Sequence, residues 1–171
     1  MDALLAHLDT FLFHVFAALA LGSAIVVVAQ PNPLYSAFAL IVTLCSLSVV
    51  YGLLGSPFIA VLQIVVYAGA IMVLFLFVIM LLNVKREDHP ATGLTPFKGA
   101  AAALVALLVL QVGSVLIRAD MSGVPAAYDA STKTMAELLF SVHFLYVFEA
   151  TSVLILAALV GAIVLARKDA V

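Results

Sequence analysis

The chain has 171 residues, of which 67% are hydrophobic and 9% charged, whereas soluble domains average roughly 45–50% and about 25%. Its 7 Lys and Arg face 9 Asp and Glu, for a formal net charge of −2, so no basic block exists to hold nucleic-acid phosphates. The composition is that of a membrane protein and excludes nucleic-acid binding.

No Asp, Glu, Lys or Arg occurs from Thr10 to Val84. A hydrocarbon core of about 30 Å takes about 20 helical residues, so the run accommodates three crossings joined by two tight turns. Its only proline-containing points are Gln30-Pro31-Asn32-Pro33 and Gly55-Ser56-Pro57. Each offers an N-cap followed by proline at the first helical position. These marks predict span one at about 10–29, span two at 33–54 and span three at 57–83. Thr95-Pro96 repeats the device and opens span four, 96–118. Thr134-Met135-Ala136-Glu137 has the form of a capping box and predicts a short helix over 135–143. Span five then covers about 144–166, ahead of Arg167-Lys168, and 84–95 and 119–133 read as loops. The expectation is an all-α polytopic protein, one integral membrane domain over 1–171 with five transmembrane helices. Asp2 and Asp9 with no Lys or Arg before the apolar region argue against a cleaved signal peptide.

Five crossings put the termini on opposite faces. Lys85, Arg86, Lys98, Arg167 and Lys168 fall on one face and only Arg118 and Lys133 on the other. The positive-inside rule then predicts a cytoplasmic C-terminus and an outside, periplasmic N-terminus.

Polar groups inside a bilayer are costly and are the first functional candidates. They are few: Gln63 and Tyr67 in span three, Gln111 in span four, Glu149 in span five, Cys45 with several Ser and Thr in span two, and His14 in span one. A self-sufficient carrier or channel places several charges or broken helices around a central site. This chain lacks that equipment, which leaves a lone small transporter or channel and a subunit of a larger membrane machine as the two classes in play. The single Cys45 forms no internal disulfide and reads as a small apolar filler, and His7, His14, His89 and His143 have no metal-ligand spacing.

Span three reads FIAVLQIVVYAGAIMVLFLFVIMLLN from Phe58 to Asn83. Its core string VYAGAIMVLFLFVIMLLN resembles the third transmembrane helix of subunit J of NADH-quinone oxidoreductase, the respiratory complex I family whose mitochondrial equivalent is subunit six. The likeness extends over 22–84 and returns in FEATSVLILAALVGAIVLARK at 148–168. Two features depart from many members: Gln30-Pro31 stands where a basic residue precedes the Asn-Pro turn, and Gln63 stands where some members carry a carboxylate. The resemblance implies a membrane-arm subunit between the quinone-reducing arm and the antiporter-like proton-pumping subunits. It implies no cofactor in this chain, with FMN and iron–sulfur clusters in partner subunits and quinone as the complex's substrate. Its implied partners are other membrane-arm subunits, small helical and antiporter-like, and the lipid bilayer. The implied location is the bacterial inner membrane, ahead of an organellar one. Related plastoquinone-reducing, hydrogenase and cation-antiporter assemblies remain alternatives.

The resemblance also implies a π-bulge near Tyr67-Ala68-Gly69, linked to hydration of a proton path. Independently of it, Gln63 and Tyr67 are four apart and share a face in an α-helix, with Ala70, Ile71 and Leu74 continuing it. Gly69 weakens an α-helix by about 1 kcal/mol relative to Ala, and a span of this length must tilt, protrude or bulge. The plain reading of Gln63 and Tyr67 is interhelical hydrogen bonding, and that of Gly69 is close packing; the gate reading makes Tyr67, Gly69 and Gln63 a conformational device without a titrating acid. Glu149 lies about 27 Å of helix before Arg167, near the outer boundary, as a subunit contact or an outer acid. Ala157 and Gly161, four apart, offer a helix-packing seam. Met72, Phe75, Phe77 and Met80 read as core and lipid face.

Overall fold

The computed structural model describes residues 2–82, 96–119 and 130–167. Among these every regular element is a helix. We label them α1, Asp2–Ala29; α2, Pro33–Leu53; α3, Pro57–Leu82; α4, Pro96–Arg118; α5, Thr132–Leu139; and α6, Leu145–Ala166. Five of the six, all but α5, are long and apolar enough to cross a membrane. The expected cap at Thr95 and the charges at Lys85, Arg86 and Lys168 lie outside the described residues, as do Asn83 and His89.

The two turns inside the uncharged run are built differently. At the first, Asn32 is extended (φ −96°, ψ 116°) and its Oδ1 accepts the Leu34 N–H at 3.0 Å, with Pro33 at the first helical position. At the second, Gly55 has φ +77°. The Ser56 N–H bonds the Tyr51 carbonyl at 3.0 Å and the Gly55 N–H bonds the Gly52 carbonyl at 3.1 Å. That pair is a Schellman closure, which uses the left-handed glycine to satisfy the last carbonyls of α2. Ser56 occupies the N-cap position, but its hydroxyl makes no cap bond. The turn is therefore specified by Gly55 more than by the expected serine.

Two expected boundaries move. α1 begins at Asp2, though its membrane-crossing part begins at His7; Asp2 precedes that part and Asp9 stands in its first turn. The short helix begins at Thr132, not Met135: Ser131 is the N-cap and its Oγ accepts the Thr134 N–H at 3.4 Å. Thr134, the expected cap, is instead inside the first turn, and Glu137 pairs with Lys133 across one turn at 3.9 Å. Helix α5 accordingly stops at Leu139, short of the expected 143.

Helices α1, α2 and α3 pack side by side, with α2 in the middle. Hydroxyl groups tie them: Ser23 Oγ and Thr43 Oγ1 are 2.7 Å apart, and Ser36 Oγ donates to the Val27 carbonyl at 2.7 Å. In a membrane such interhelical hydrogen bonds are worth about 0.6 kcal/mol each on average. The short helix α5 rests against the first turns of α3. No residue of the membrane-crossing parts of α4 or α6 is buried.

Candidate functional site

Helix α3 changes its hydrogen-bond pattern partway. Pro57–Leu62 is α-helical, Gln63–Ile71 is π-helical and Met72–Leu82 is α-helical again. At the exit the Met72 N–H reaches the Tyr67 carbonyl, five residues back. Such wide turns are rare, and where they occur they are concentrated at functional positions.

The burial pattern gives the physical reason for the wide turn. Along α3 the sheltered positions are Ala60, Gln63, Ala68, Gly69, Met72, Leu76 and Ile79. Spacings of three and four keep residues on one face of an α-helix, but Gln63 to Ala68 is five. The π segment absorbs that extra residue, so both halves of the span present their sheltered faces to α2. Ala68 and Met72 are 8% and 5% exposed.

This overturns the face expected for Gln63 and Tyr67. Gln63 is half-buried in the α2-facing seam, whereas Tyr67 is 52% exposed, with Ile71 and Leu74 on the outside as well. Four residues complete a turn of α-helix but fall short of a turn of π-helix, so the two side chains diverge. The residue that takes the seam position is Ala68. Met72 belongs to the sheltered set, while Phe75, Phe77 and Met80 are outward.

Gly69 sits at a close approach within the wide turn. A Cβ built there would lie 3.1 Å from the Ile64 carbonyl oxygen, five residues earlier on the same helix. The wide turn brings that oxygen over the glycine, and the missing side chain leaves it room. Among the described residues no atom of another helix lies within 4 Å of that Cβ position.

Sequence reasoning passed over Ser48. It is 3% exposed, and its Oγ donates across to the Ala60 carbonyl at 2.7 Å. Gly52, one turn further along α2, would place a Cβ 3.9 Å from the Ala60 Cβ. A shallow apolar groove of about 380 Å³ opens beside them, reaching Ile64. The available signal was a hydroxyl four residues before a glycine in an apolar span, a close-approach pattern.

The remaining candidates are elsewhere. Glu149 is exposed in the first turns of α6, near the edge-on pair Phe140–Phe148, whose ring centroids are 5.0 Å apart. Ala157 and Gly161 are exposed on α6, and a Cβ on Gly161 would meet nothing within 4 Å. Their small-residue seam faces no other described helix. Gln111 and His143 are exposed, and the His14 ring lies 2.7 Å from the Thr10 carbonyl of its own helix. Among the described residues no group of His, Cys, Asp and Glu could hold a metal ion.

A family model described as NADH-ubiquinone/plastoquinone oxidoreductase chain 6 matches residues 23–165, taking in the whole π segment and both turns. The chain belongs to this family. Chain 6 of NAD(P)H-quinone oxidoreductase from Leptolyngbya boryana is 39% identical over 92% of the chain and 79% of its own length. Subunit J of NADH-quinone oxidoreductase from Pseudomonas aeruginosa is 35% identical over 94% and 98%. Chain 6 of NADH-ubiquinone oxidoreductase from Marchantia polymorpha is 36% identical over 90% and 84%. Chain 6 relatives thus come from cyanobacteria, other bacteria and a plant, and all are named as parts of quinone oxidoreductases. With five apolar helices, this chain 6 homologue is a multi-pass membrane protein of an enzyme complex family.

Proposed function

We propose that the chain is a non-redox subunit in the membrane arm of a proton-translocating NADH-quinone oxidoreductase, where the π segment of α3 is a conformational gate. Quinone reduction in neighbouring subunits shifts α3 between a π and an α form, and that shift controls water access along a proton path completed by antiporter-like subunits. The flavin, the iron–sulfur clusters and the quinone site belong to those partners. The bilayer is the bacterial inner membrane, with the N-terminus outside.

The observation that carries this reading is the five-residue step between Gln63 and Ala68. If the wide turn closes to an α turn while Ala60 and Gln63 stay in place, Tyr67 moves into the seam position of Ala68. The distal half then rotates by about 100°, one residue's worth of helix. Tyr67 would carry a hydroxyl from the outside of the helix into the α2 interface, and water ordered on that hydroxyl would move with it. Gln63 contributes an amide that orders water without changing charge. Glu149 serves at the outer end of the path or in a subunit contact, and Ala157 and Gly161 pack against a partner helix. The all-round apolar exposure of α4 and α6 supports a chain whose remaining walls are supplied by other subunits and lipid.

The test is proton translocation per electron in membranes carrying the intact complex. Tyr67→Phe removes the hydroxyl and Gly69→Val blocks the wide turn; each is expected to lower the ratio while NADH oxidation by quinone continues. A ratio unchanged in both variants would overturn the gate.

A further inference from the structure

We infer that Ser48 is a positioning residue that clamps the base of α3 to α2, so that interconversion of the π segment turns only the distal half of the helix. The inference rests on the gate reading and names the stationary part that such a gate requires.

Three observations converge on this contact. Ser48 is nearly inaccessible, and its hydroxyl donates to the Ala60 carbonyl at 2.7 Å. That carbonyl also accepts the Gln63 N–H, which it shares with the Ile59 carbonyl. The clamp therefore bonds a carbonyl of the last α-helical turn before the hydrogen-bond pattern changes. Next, Gly52 lets α2 approach closely: its notional Cβ stands 3.9 Å from the Ala60 Cβ, and small residues at such crossings allow backbones to meet. Finally, the restraint ends at the junction. Among the described residues, no side-chain hydrogen bond joins Gln63–Leu82 to another helix, whereas the other interhelical hydroxyl bonds, Ser23 with Thr43 and Ser36 with Val27, hold α1 to α2. The assembly is a fixed pair of helices carrying a third that is fastened at its foot.

A rotation needs a fixed end to have direction. With the foot held, closing the wide turn must appear as rotation of Met72–Leu82; with the foot free, the same closure is dissipated by turning Pro57–Leu62 the other way. Loss of the Ser48 hydroxyl therefore uncouples the segment's change of form from the distal half without touching the segment itself.

The experiment uses the intact complex in native membranes and reads protons moved per electron alongside the electron-transfer rate. Ser48→Ala is expected to lower the ratio, by at most the roughly threefold factor that one interhelical hydrogen bond of about 0.6 kcal/mol sets on the clamped equilibrium, with Ser48→Thr restoring it. Gly52→Cys with Ala60→Cys, in a Cys45→Ala background, then replaces the clamp covalently, since a disulfide spans Cβ atoms about 3.5–4.5 Å apart. Oxidising that pair in the Ser48→Ala background should restore the ratio, and reduction should lower it again. An unchanged ratio in Ser48→Ala, or a failure of the oxidised pair to restore it, overturns the clamp. Should Ser48→Ala fail to assemble, the cysteine pair is tested with Ser48 present: an unchanged ratio on oxidation supports a stationary foot, and a fallen ratio overturns it. A lowered ratio in Tyr67→Phe or Gly69→Val with a normal one in Ser48→Ala removes the clamp alone; normal ratios in all three remove the gate as well.

Discussion

The carbonyl oxygen of Ile64 stands over Gly69, 3.1 Å from the position a β-carbon would take. A methyl group there can be fitted only if the oxygen retreats by a few tenths of an ångström, and the retreat favours the narrower α turn.

Gly69→Ala should therefore bias α3 toward the α form, because the added methyl crowds the Ile64 carbonyl of the π turn. Structure determination of the complex carrying Gly69→Ala should show the Met72 N–H transferred from the Tyr67 to the Ala68 carbonyl. Retention of the five-residue bond would contradict this.

Gly55→Ala tests the turn between α2 and α3. Space is available, since a Cβ at Gly55 meets nothing within 4 Å, but φ is +77°. The cost is therefore backbone strain of about 1–2 kcal/mol. The expected result is a lower steady-state amount of assembled subunit in membranes, with normal activity per assembled complex.

The hydroxyl pair Ser23 and Thr43 can be weighed by a double-mutant cycle. Ser23→Ala and Thr43→Val should destabilise non-additively, with a coupling of about 0.6 kcal/mol, read from thermal inactivation of the complex. Strict additivity would mean that the 2.7 Å contact contributes nothing of its own.

Gly161→Leu and Ala157→Leu separate the chain's own fold from its assembly. Both positions are exposed, so insertion of the chain into the membrane should be unaffected. If a partner helix lies on this seam, co-purification of other subunits of the complex should fall severalfold, because two bulky side chains hold the backbones apart. Undiminished co-purification would assign that face to lipid.

Proline explains why so many boundaries were legible in the sequence. Pro33, Pro57 and Pro96 each open a helix because their fixed φ suits the first helical position and their missing N–H is not needed there. The short helix was read three residues late because Ser131 and Thr134 are both plausible caps, and only the backbone turn shows which hydroxyl takes the N–H. The faces of α3 were misread for a deeper reason. Gln63 and Tyr67 obey α-helical spacing, and the sequence contains no marker that counts residues per turn. The offset becomes visible only when Ala68 and Met72 are seen to be covered. Ser48 was hidden in the same way: a serine in an apolar span bonds its own helix as readily as a neighbour's, as Ser46 does with the Val42 carbonyl.

The five-residue step between Gln63 and Ala68 has a genetic counterpart. Loss of a single codon at Val65 or Val66 would bring the two halves of the span into common phase, giving an uninterrupted rod that buries the same alanine and methionine without any wide turn. Such a deletion should yield a subunit that inserts and assembles normally yet is frozen in one setting. The additional residue would then be dispensable for building the helix, and on the proposed gate its value would lie in leaving the helix two ways to be built.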